Sequence, residues 1–128
     1  MYRLKSPLQI YVGKKKVILN LNNYRNLHYR ILNSAKIVYK KYMELQIKKL
    51  PQLVPPLRIT YTVFKGDRRV CDVGNICAVH QKFFEDALVE LGKIKDDNHV
   101  LIPEVNYRWG GVDKLNPGVE IYIEEIKS

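Results

Sequence analysis

The fold class of this chain is decided by one stretch, Leu57-Arg58-Ile59-Thr60-Tyr61-Thr62-Val63-Phe64. Apolar and polar residues alternate along most of it, and several side chains are β-branched or aromatic, so it predicts a β-strand. A polar loop follows. The segment from Asn75 to Leu91 then repeats apolar residues at steps of three and four, which predicts an amphipathic helix.

The residues before this stretch predict a hairpin and a helix. Two short strands are expected over 8–12 and 16–20, with a turn at Gly13-Lys14-Lys15. A long helix is expected to follow, with Asn22 or Asn23 as its N-cap. Its predicted apolar face consists of Tyr24, Leu27, Ile31, Ala35, Val38, Tyr42 and Leu45.

The residues after the second helix predict two closing strands, over 99–107 and 119–126, with Gly110-Gly111 in the loop between them. The predicted fold class is therefore α+β. It has a small mixed β-sheet with two helices packed on it, in the order β-β-α-β-α-β-β.

Length and composition favour a single domain over residues 1–128, with 46% hydrophobic and 27% charged residues. Two cysteines, Cys71 and Cys77, provide neither a disulfide framework nor a zinc site. The sequence has no bilayer-spanning apolar stretch and no signal-peptide pattern at its start, so we expect a cytoplasmic protein without a membrane partner. Because phosphate-binding glycine loops, dinucleotide motifs and nucleophile elbows are missing, we expect no small-molecule substrate.

Positive charge is concentrated in the first half of the chain. The net charge is +9, and residues 1–65 contain fourteen Lys and Arg but only one acid, Glu44. Residues 66–128 contain eight Lys and Arg and twelve acids. Surplus cations attract polyanions, and counterion release on phosphate contact supplies affinity that does not depend on sequence. Nucleic acid is therefore a likelier partner than a membrane surface, which would call for a basic amphipathic segment rich in Trp or Phe.

Four acids and one lysine form the candidate site: Asp72, Lys82, Asp86, Asp96 and Asp97. One interpretation is structural, with these residues as helix caps, turn residues and a surface pair, and composition alone favours it. The other is a site for a hard divalent cation, which takes oxygen ligands and activates water for phosphodiester cleavage. A lysine ammonium beside such a cation would stabilise the charge that develops on the phosphate.

The stretch from Arg68 to Asp97 resembles the RusA family of Holliday junction resolvases, small metal-dependent endonucleases. The family pattern has a basic loop and Asp-x-Asp-Asn at the start of a helix. A Lys and Asp-Ala-Leu follow on that helix, then a Gly at its end and Asp-Asp in the next turn. Here the corresponding residues are Arg68-Arg69, Asp72-Val73-Gly74-Asn75, Lys82, Asp86-Ala87-Leu88, Gly92 and Asp96-Asp97.

The resemblance implies a function and a role for each motif residue. It implies that Asp72, Lys82 and Asp97 are catalytic and that Mg²⁺ or Mn²⁺ is the cofactor. Gly74 stands where the family's second acid is usual, so Asp86 is expected to complete a metal site with Asp72 and Asp97, assisted by Asp96. The implied substrate is branched DNA, four-way junctions above all, and the implied assembly is a homodimer, whose two-fold symmetry would allow paired nicks.

Phosphate contacts are expected from Lys14, Lys15, Lys16, Arg68 and Arg69, and from the basic residues of the long helix. Two other functions remain open. A non-catalytic DNA-binding protein with a decayed nuclease site would bind junctions but never cut them. An RNA-binding protein ranks last, because the aromatic motif of an RNA-recognition sheet is missing. The lone Trp109 could stack on a base or anchor its loop.

Overall fold

The structure, a computed structural model, describes residues 1–127, which contain six strands and three helices. In chain order these are β1 (Tyr2–Ser6), β2 (Gln9–Val12), β3 (Lys15–Ile18), α1 (Leu21–Asn26), α2 (Tyr29–Lys48), β4 (Leu57–Lys65), α3 (Val73–Glu90), β5 (Glu104–Val112) and β6 (Gly118–Glu125). Among these described residues, no helix combines the length and the apolar character needed to cross a membrane.

Four of the strands form one mixed sheet in the order β1-β6-β4-β5, and β2 and β3 form a separate two-stranded sheet. Strand β4 lies inside the larger sheet, antiparallel to β6 and parallel to β5. Parallel neighbours cannot be joined by a tight turn and need a crossover connection. Helix α3 and the loop over 91–103 provide that crossover, so α3 packs against β4 and β5.

The core forms between one face of this sheet and the helices. Alternate residues of β4, namely Leu57, Ile59, Tyr61 and Val63, are completely buried. The Tyr61 ring meets the Phe84 ring of α3 edge-on, with centroids 6.4 Å apart. The prediction of a mixed α+β fold with a small mixed sheet is therefore confirmed, as are a strand over the quoted stretch and a helix after it.

The predicted strands differ from the observed ones in three respects, of which one changes their order and two concern the bounds of β5. Strand β1 was not predicted, although it pairs with β6 along its whole length. Strand β5 starts at Glu104 instead of residue 99, because the Asn98 side chain accepts hydrogen bonds from the Val100 and Leu101 N–H groups and holds a turn there. Gly110 and Gly111 lie inside β5 and not in a loop.

The position of the Phe64 ring explains why residue 110 in β5 is a glycine. A Cβ atom at position 110 would lie 2.6 Å from that ring. Contacts this short are not tolerated in packed proteins, so glycine allows the ring to cover the strand.

The predicted long helix is in fact two helices, α1 and α2, separated at Leu27 and His28. The N-cap of α1 is Asn20, whose side chain accepts a hydrogen bond from the Asn23 N–H at 2.9 Å, and neither Asn22 nor Asn23 is the cap. The predicted apolar face is only partly correct, because the buried residues of α2 follow steps of four from Ala35, whereas the prediction alternated steps of three and four. Residues Tyr42 and Leu45 are exposed, and the fully buried face of α2 consists of Ala35, Tyr39, Met43 and Ile47.

A buried chain of polar side chains links β1, α2 and α3. The Ser6 Oγ lies 2.7 Å from the Tyr39 hydroxyl and 2.6 Å from Nδ1 of His80. All three residues are fully buried, and burial lowers the pKa of His80 to about 3. The folded protein therefore keeps this imidazole neutral at pH values where a solvated histidine is charged.

Substitution of His80 with Asn should flatten the loss of stability in mild acid. Between pH 6.5 and pH 3 the unfolded chain binds a proton at His80 that the folded chain does not bind, so stability falls as the pH drops. From pH 7 to pH 5 this contribution is about 2 kcal/mol. Urea unfolding of wild type and His80→Asn at both pH values measures the difference, and parallel pH curves would contradict the assignment.

Candidate active site

Two motif residues, Asp72 and Asn75, form hydrogen bonds at the start of helix α3. The Asp72 carboxylate is the N-cap and accepts a hydrogen bond from the Asn75 N–H at 3.2 Å. The Asn75 side-chain oxygen accepts a second bond, at 3.1 Å, from the Leu21 N–H at the start of α1. Side chains that accept from free N–H groups stabilise helix starts, so this pair connects the N-termini of two helices.

One cavity of about 260 Å³ lies between α3, the loop over 91–103 and β5. It brings together two sequence-predicted site residues, Lys82 and Asp97, which are fifteen positions apart in the chain. Its other lining residues are Ala78, Gln81, Glu85 and Tyr107. A cationic and an anionic side chain therefore face the same small volume, which is open to solvent.

Glu85 is a cavity residue that the sequence interpretation missed. It is 3% exposed, and its Oε2 accepts a hydrogen bond from the Tyr61 hydroxyl at 2.8 Å. The pKa of Glu85 is raised to about 7, first by burial and then by the nearby carboxylates of Asp97 and Asp86, although hydrogen bonds from Tyr61 and Gln81 oppose the shift. Within residues 1–127 no cation forms an ion pair with it.

A signal for Glu85 was present in the sequence. Residue 85 directly follows Phe84 and precedes Leu88 by three positions, so helical geometry places it beside the apolar face of α3. A carboxylate at the border of a buried face is uncommon without a partner or a function. The partner hydroxyl, however, belongs to a different element, β4.

Asp86 is half-buried on α3, one turn after Lys82, so the prediction that these two residues share a side of the helix is confirmed. Burial raises the pKa of Asp86, and Asp97 and Glu90 add to this effect. The cations of Lys36 and Lys82 act in the opposite direction. Asp86 therefore lies close to the cavity acids and to both lysines, although it does not line the cavity itself.

The two acids of the Asp-Asp turn differ in their surroundings. The Asp96 carboxylate accepts hydrogen bonds from the Asp97 N–H at 2.8 Å and from the Asn98 side chain at 3.1 Å. These bonds, that from the Asp97 N–H first, lower the pKa of Asp96. The Asp96 oxygens are therefore used within the turn, whereas the Asp97 side chain reaches the cavity.

Asp72 does not line this cavity. Thirteen positions separate it from Glu85, which corresponds to about 20 Å of helix rise. The structure therefore does not gather the four predicted ligands Asp72, Asp86, Asp96 and Asp97 at one point. The catalytic role of Asp72 stays a prediction, and its observed role is that of the helix cap.

The carboxylates fit a hard divalent cation only in part. In the described part of the chain, no three His, Cys, Asp or Glu side chains form a group that could hold an ion. Two carboxylates, Glu85 and Asp97, do line one cavity. Mg²⁺ is often held by one or two carboxylates, with water and substrate phosphate as the other ligands. The residues therefore suit a site shared between protein and phosphate, and do not suit an all-protein cage.

The predicted DNA-binding residues form two exposed groups. Lys14 lies in the β2–β3 turn, and Lys15 and Lys16 begin β3. Arg68 and Arg69 border a second cavity, of about 290 Å³, together with Trp109, Val70, Cys71 and Val73. Trp109 belongs to β5 and is 47% exposed, so its indole is available beside the two arginines.

Substitution of Glu85 with Gln should stabilise the protein at alkaline pH. Above pH 7 the folded state holds an ionised, buried carboxylate, and this penalty disappears as the pH falls from 7 towards the ordinary pKa near 4.5. The amide keeps an acceptor for Tyr61 without the charge. We expect a gain on the order of 2 kcal/mol at pH 8 and little gain at pH 4.

Chemical denaturation at both pH values measures this gain. Glu90→Gln is the control on the same helix, because Glu90 is exposed and loses only a surface ion pair with Lys40. Its effect should stay below about 1 kcal/mol at both pH values. An equal gain in the two variants would show that removal of any helix carboxylate is sufficient.

Because Asp72 is the N-cap of α3, its substitution with Ala and with Asn should affect stability differently. Asp72→Ala should cost about 1 kcal/mol of stability, because the first turn of α3 loses its acceptor, whereas Asp72→Asn should cost almost nothing, since Asn caps helices as well as Asp does. Thermal or urea unfolding of both variants tests this expectation. Equal destabilisation by Ala and Asn would show that the negative charge, and not the hydrogen bond, stabilises the helix start.

No known family model matches this chain, and no curated protein matches it. The resemblance to the RusA family therefore depends on the motif residues alone. Of these, Lys82 and Asp97 line one cavity. Asp72 and Asn75 stabilise the start of α3, the helix that carries Lys82.

Proposed function

We propose that this chain is a divalent-metal-dependent endodeoxyribonuclease that resolves Holliday junctions and other branched DNA by paired nicks. The observation that supports this most directly is the cavity shared by Lys82, Asp97 and Glu85. It lies in a chain with a net charge of +9, which favours a polyanionic substrate. The choice of branched DNA follows the motif resemblance.

Hydrolysis of a phosphodiester needs charge stabilisation on the phosphate and on the leaving oxygen. The Lys82 ammonium would donate hydrogen bonds to these oxygens, because Lys82 is exposed and lines the cavity. The carboxylates of Asp97 and Glu85 would hold Mg²⁺ or Mn²⁺, which supplies Lewis acidity towards the phosphate and a more acidic bound water. The Tyr61 hydroxyl would fix the Glu85 carboxylate in one orientation.

Two exposed basic groups would position the DNA around this cavity. Lys14, Lys15 and Lys16 would contact phosphates from the small hairpin, and Arg68 and Arg69 from the loop before α3. Trp109 beside the arginines would offer a stacking surface for an unpaired base at a branch point. A homodimer would present two such sites to the two strands that must be nicked.

A second function, a non-catalytic DNA-binding protein, is favoured by a specific observation. Within residues 1–127 no three potential ligands form a metal-holding group, and Gly74 bears no carboxylate. Such a protein would keep the basic surface and would bind junctions with a steep dependence on salt. It would not nick DNA with any divalent metal.

Nicking of a synthetic four-way junction in Mg²⁺ or Mn²⁺ separates the two functions. We expect symmetric nicks from the wild type. We expect at least a hundredfold loss of nicking in Lys82→Ala and in Asp97→Asn, because removal of one charge-stabilising group typically costs 10²–10³ in rate. Junction binding should weaken by no more than about tenfold, the loss expected for one phosphate contact. Binding without any nick in either metal would establish the non-catalytic function instead.

Two controls make this test specific to the cavity. Asp96→Asn changes the neighbouring acid, whose oxygens are used within the turn, and should reduce nicking less than Asp97→Asn. Asp72→Asn preserves the helix cap, so a loss of nicking in that variant would support the catalytic role that the resemblance implies. Wild-type rates in Lys82→Ala would make Lys82 an ordinary surface residue.

A further inference from the structure

Two lysines from different helices lie over the same aromatic ring. The Nζ atoms of Lys82 on α3 and Lys36 on α2 are 5.6 Å and 6.0 Å from the centroid of the Tyr24 ring on α1. Both distances fall within the range of cation–π attraction. Lys36 thereby becomes a neighbour of the candidate active site, although it lies 46 positions away from Lys82 in the chain.

The Tyr24 ring is held in place independently of the lysines. It is half-buried and packs against the Phe83 ring, with centroids 6.3 Å apart. Its helix, α1, is fastened to α3 by the bond from the Leu21 N–H to Asn75. The ring therefore restrains both lysine side chains before a ligand binds, so binding costs less side-chain entropy than it would for two unrestrained lysines.

Acidic side chains also lie near this ring. Both lysines lower the pKa of Asp86, whereas Asp97 and Glu90 raise it, so the two ammonium groups have carboxylates nearby. Within residues 1–127, Lys36 forms no ion pair, whereas Lys40, one turn further along α2, binds Glu90 at 2.7 Å. The Lys36 ammonium therefore has hydrogen-bond donors available for a ligand, whereas the Lys40 ammonium already donates to Glu90.

We propose that Lys36 and Lys82 form a two-cation site for neighbouring phosphates of one DNA strand, with Tyr24 as the positioning residue for both. The ligand class is the phosphodiester backbone, whose oxygens accept hydrogen bonds from ammonium groups. The proposal rests on the proposed function, since it takes DNA as the ligand. Lys36 would hold the phosphate next to the one that Lys82 contacts.

Junction binding tests the contribution of Lys36. Affinity is measured over a series of salt concentrations with Ca²⁺ in place of Mg²⁺, for wild type, Lys36→Ala and Lys41→Ala. Lys41 is the matched control, because it is exposed on the same helix and points about 140° away from Lys36. Lys36→Ala should weaken binding about tenfold and reduce the slope of log affinity against log salt by about 1.

Lys41→Ala should leave that slope unchanged. Equal effects of the two substitutions would mean that only the overall charge matters, and this would overturn the two-cation site. Melting temperatures of the variants show that each remains folded. Because Lys36 is only partly buried, we expect no large change in stability from its truncation.

The positioning role of Tyr24 is tested by a pair of variants. Tyr24→Phe keeps the ring face and should retain the wild-type salt slope. Tyr24→Leu keeps apolar contact with Phe83 but removes the ring, so it should reduce the slope as Lys36→Ala does. In the double variant of Tyr24→Leu and Lys36→Ala, the two losses should not add, because both act on the same contact. Additive losses would overturn the positioning role.

Binding and nicking separate this proposal from the proposed function. A wild-type protein that binds junctions without nicking them overturns the nuclease function, and the comparison of Lys36 with Lys41 still decides the two-cation site. A wild-type protein that nicks junctions, combined with an unchanged slope in Lys36→Ala, overturns the two-cation site alone. A wild-type protein that does not bind DNA overturns both.

Discussion

The parallel pairing of β4 with β5 is the constraint on which the candidate site depends. Two parallel neighbours cannot be joined directly, so the chain must cross the sheet between them, and α3 provides that crossing. The crossing lays Lys82 and Glu85 beside Tyr107 of β5. The return loop from α3 to β5 then brings Asp97 to the same cavity. The site is thus a consequence of strand topology.

The polar groups inside this fold are accommodated in two different ways. Ser6, Tyr39 and His80 bond to one another in the core, which keeps the imidazole neutral. Glu85 has a hydroxyl partner in Tyr61, but burial, and to a smaller extent two nearby carboxylates, raise its pKa. In the first arrangement the polar atoms find hydrogen-bond partners within the core, except for Nε2 of His80. The second leaves an electrostatic cost at the edge of a cavity, which is typical of functional sites.

Local periodicity was sufficient for the elements at the centre of the fold. Strand β4 and helix α3 were predicted nearly over their observed extents, since each has a clear apolar repeat of its own. Strand β1 was missed because only Tyr2 and Leu4 in this short segment are apolar, and its buried face ends in a serine. The apolar face of α2 was misjudged at Tyr42 and Leu45, because apolar residues stand at steps of three and four as well as at the steps of four that α2 buries.

The sequence by itself determined an α+β fold, a basic first half and a group of four acids and one lysine between residues 72 and 97. Only the tertiary structure decided which of these residues meet. It turned Asp97 rather than Asp96 to the cavity, added Glu85 and Lys36, and left Asp72 at the helix start. The physical reason is that spacing specifies neighbours within one helix or strand, whereas contacts between elements depend on how the sheet and the helices pack.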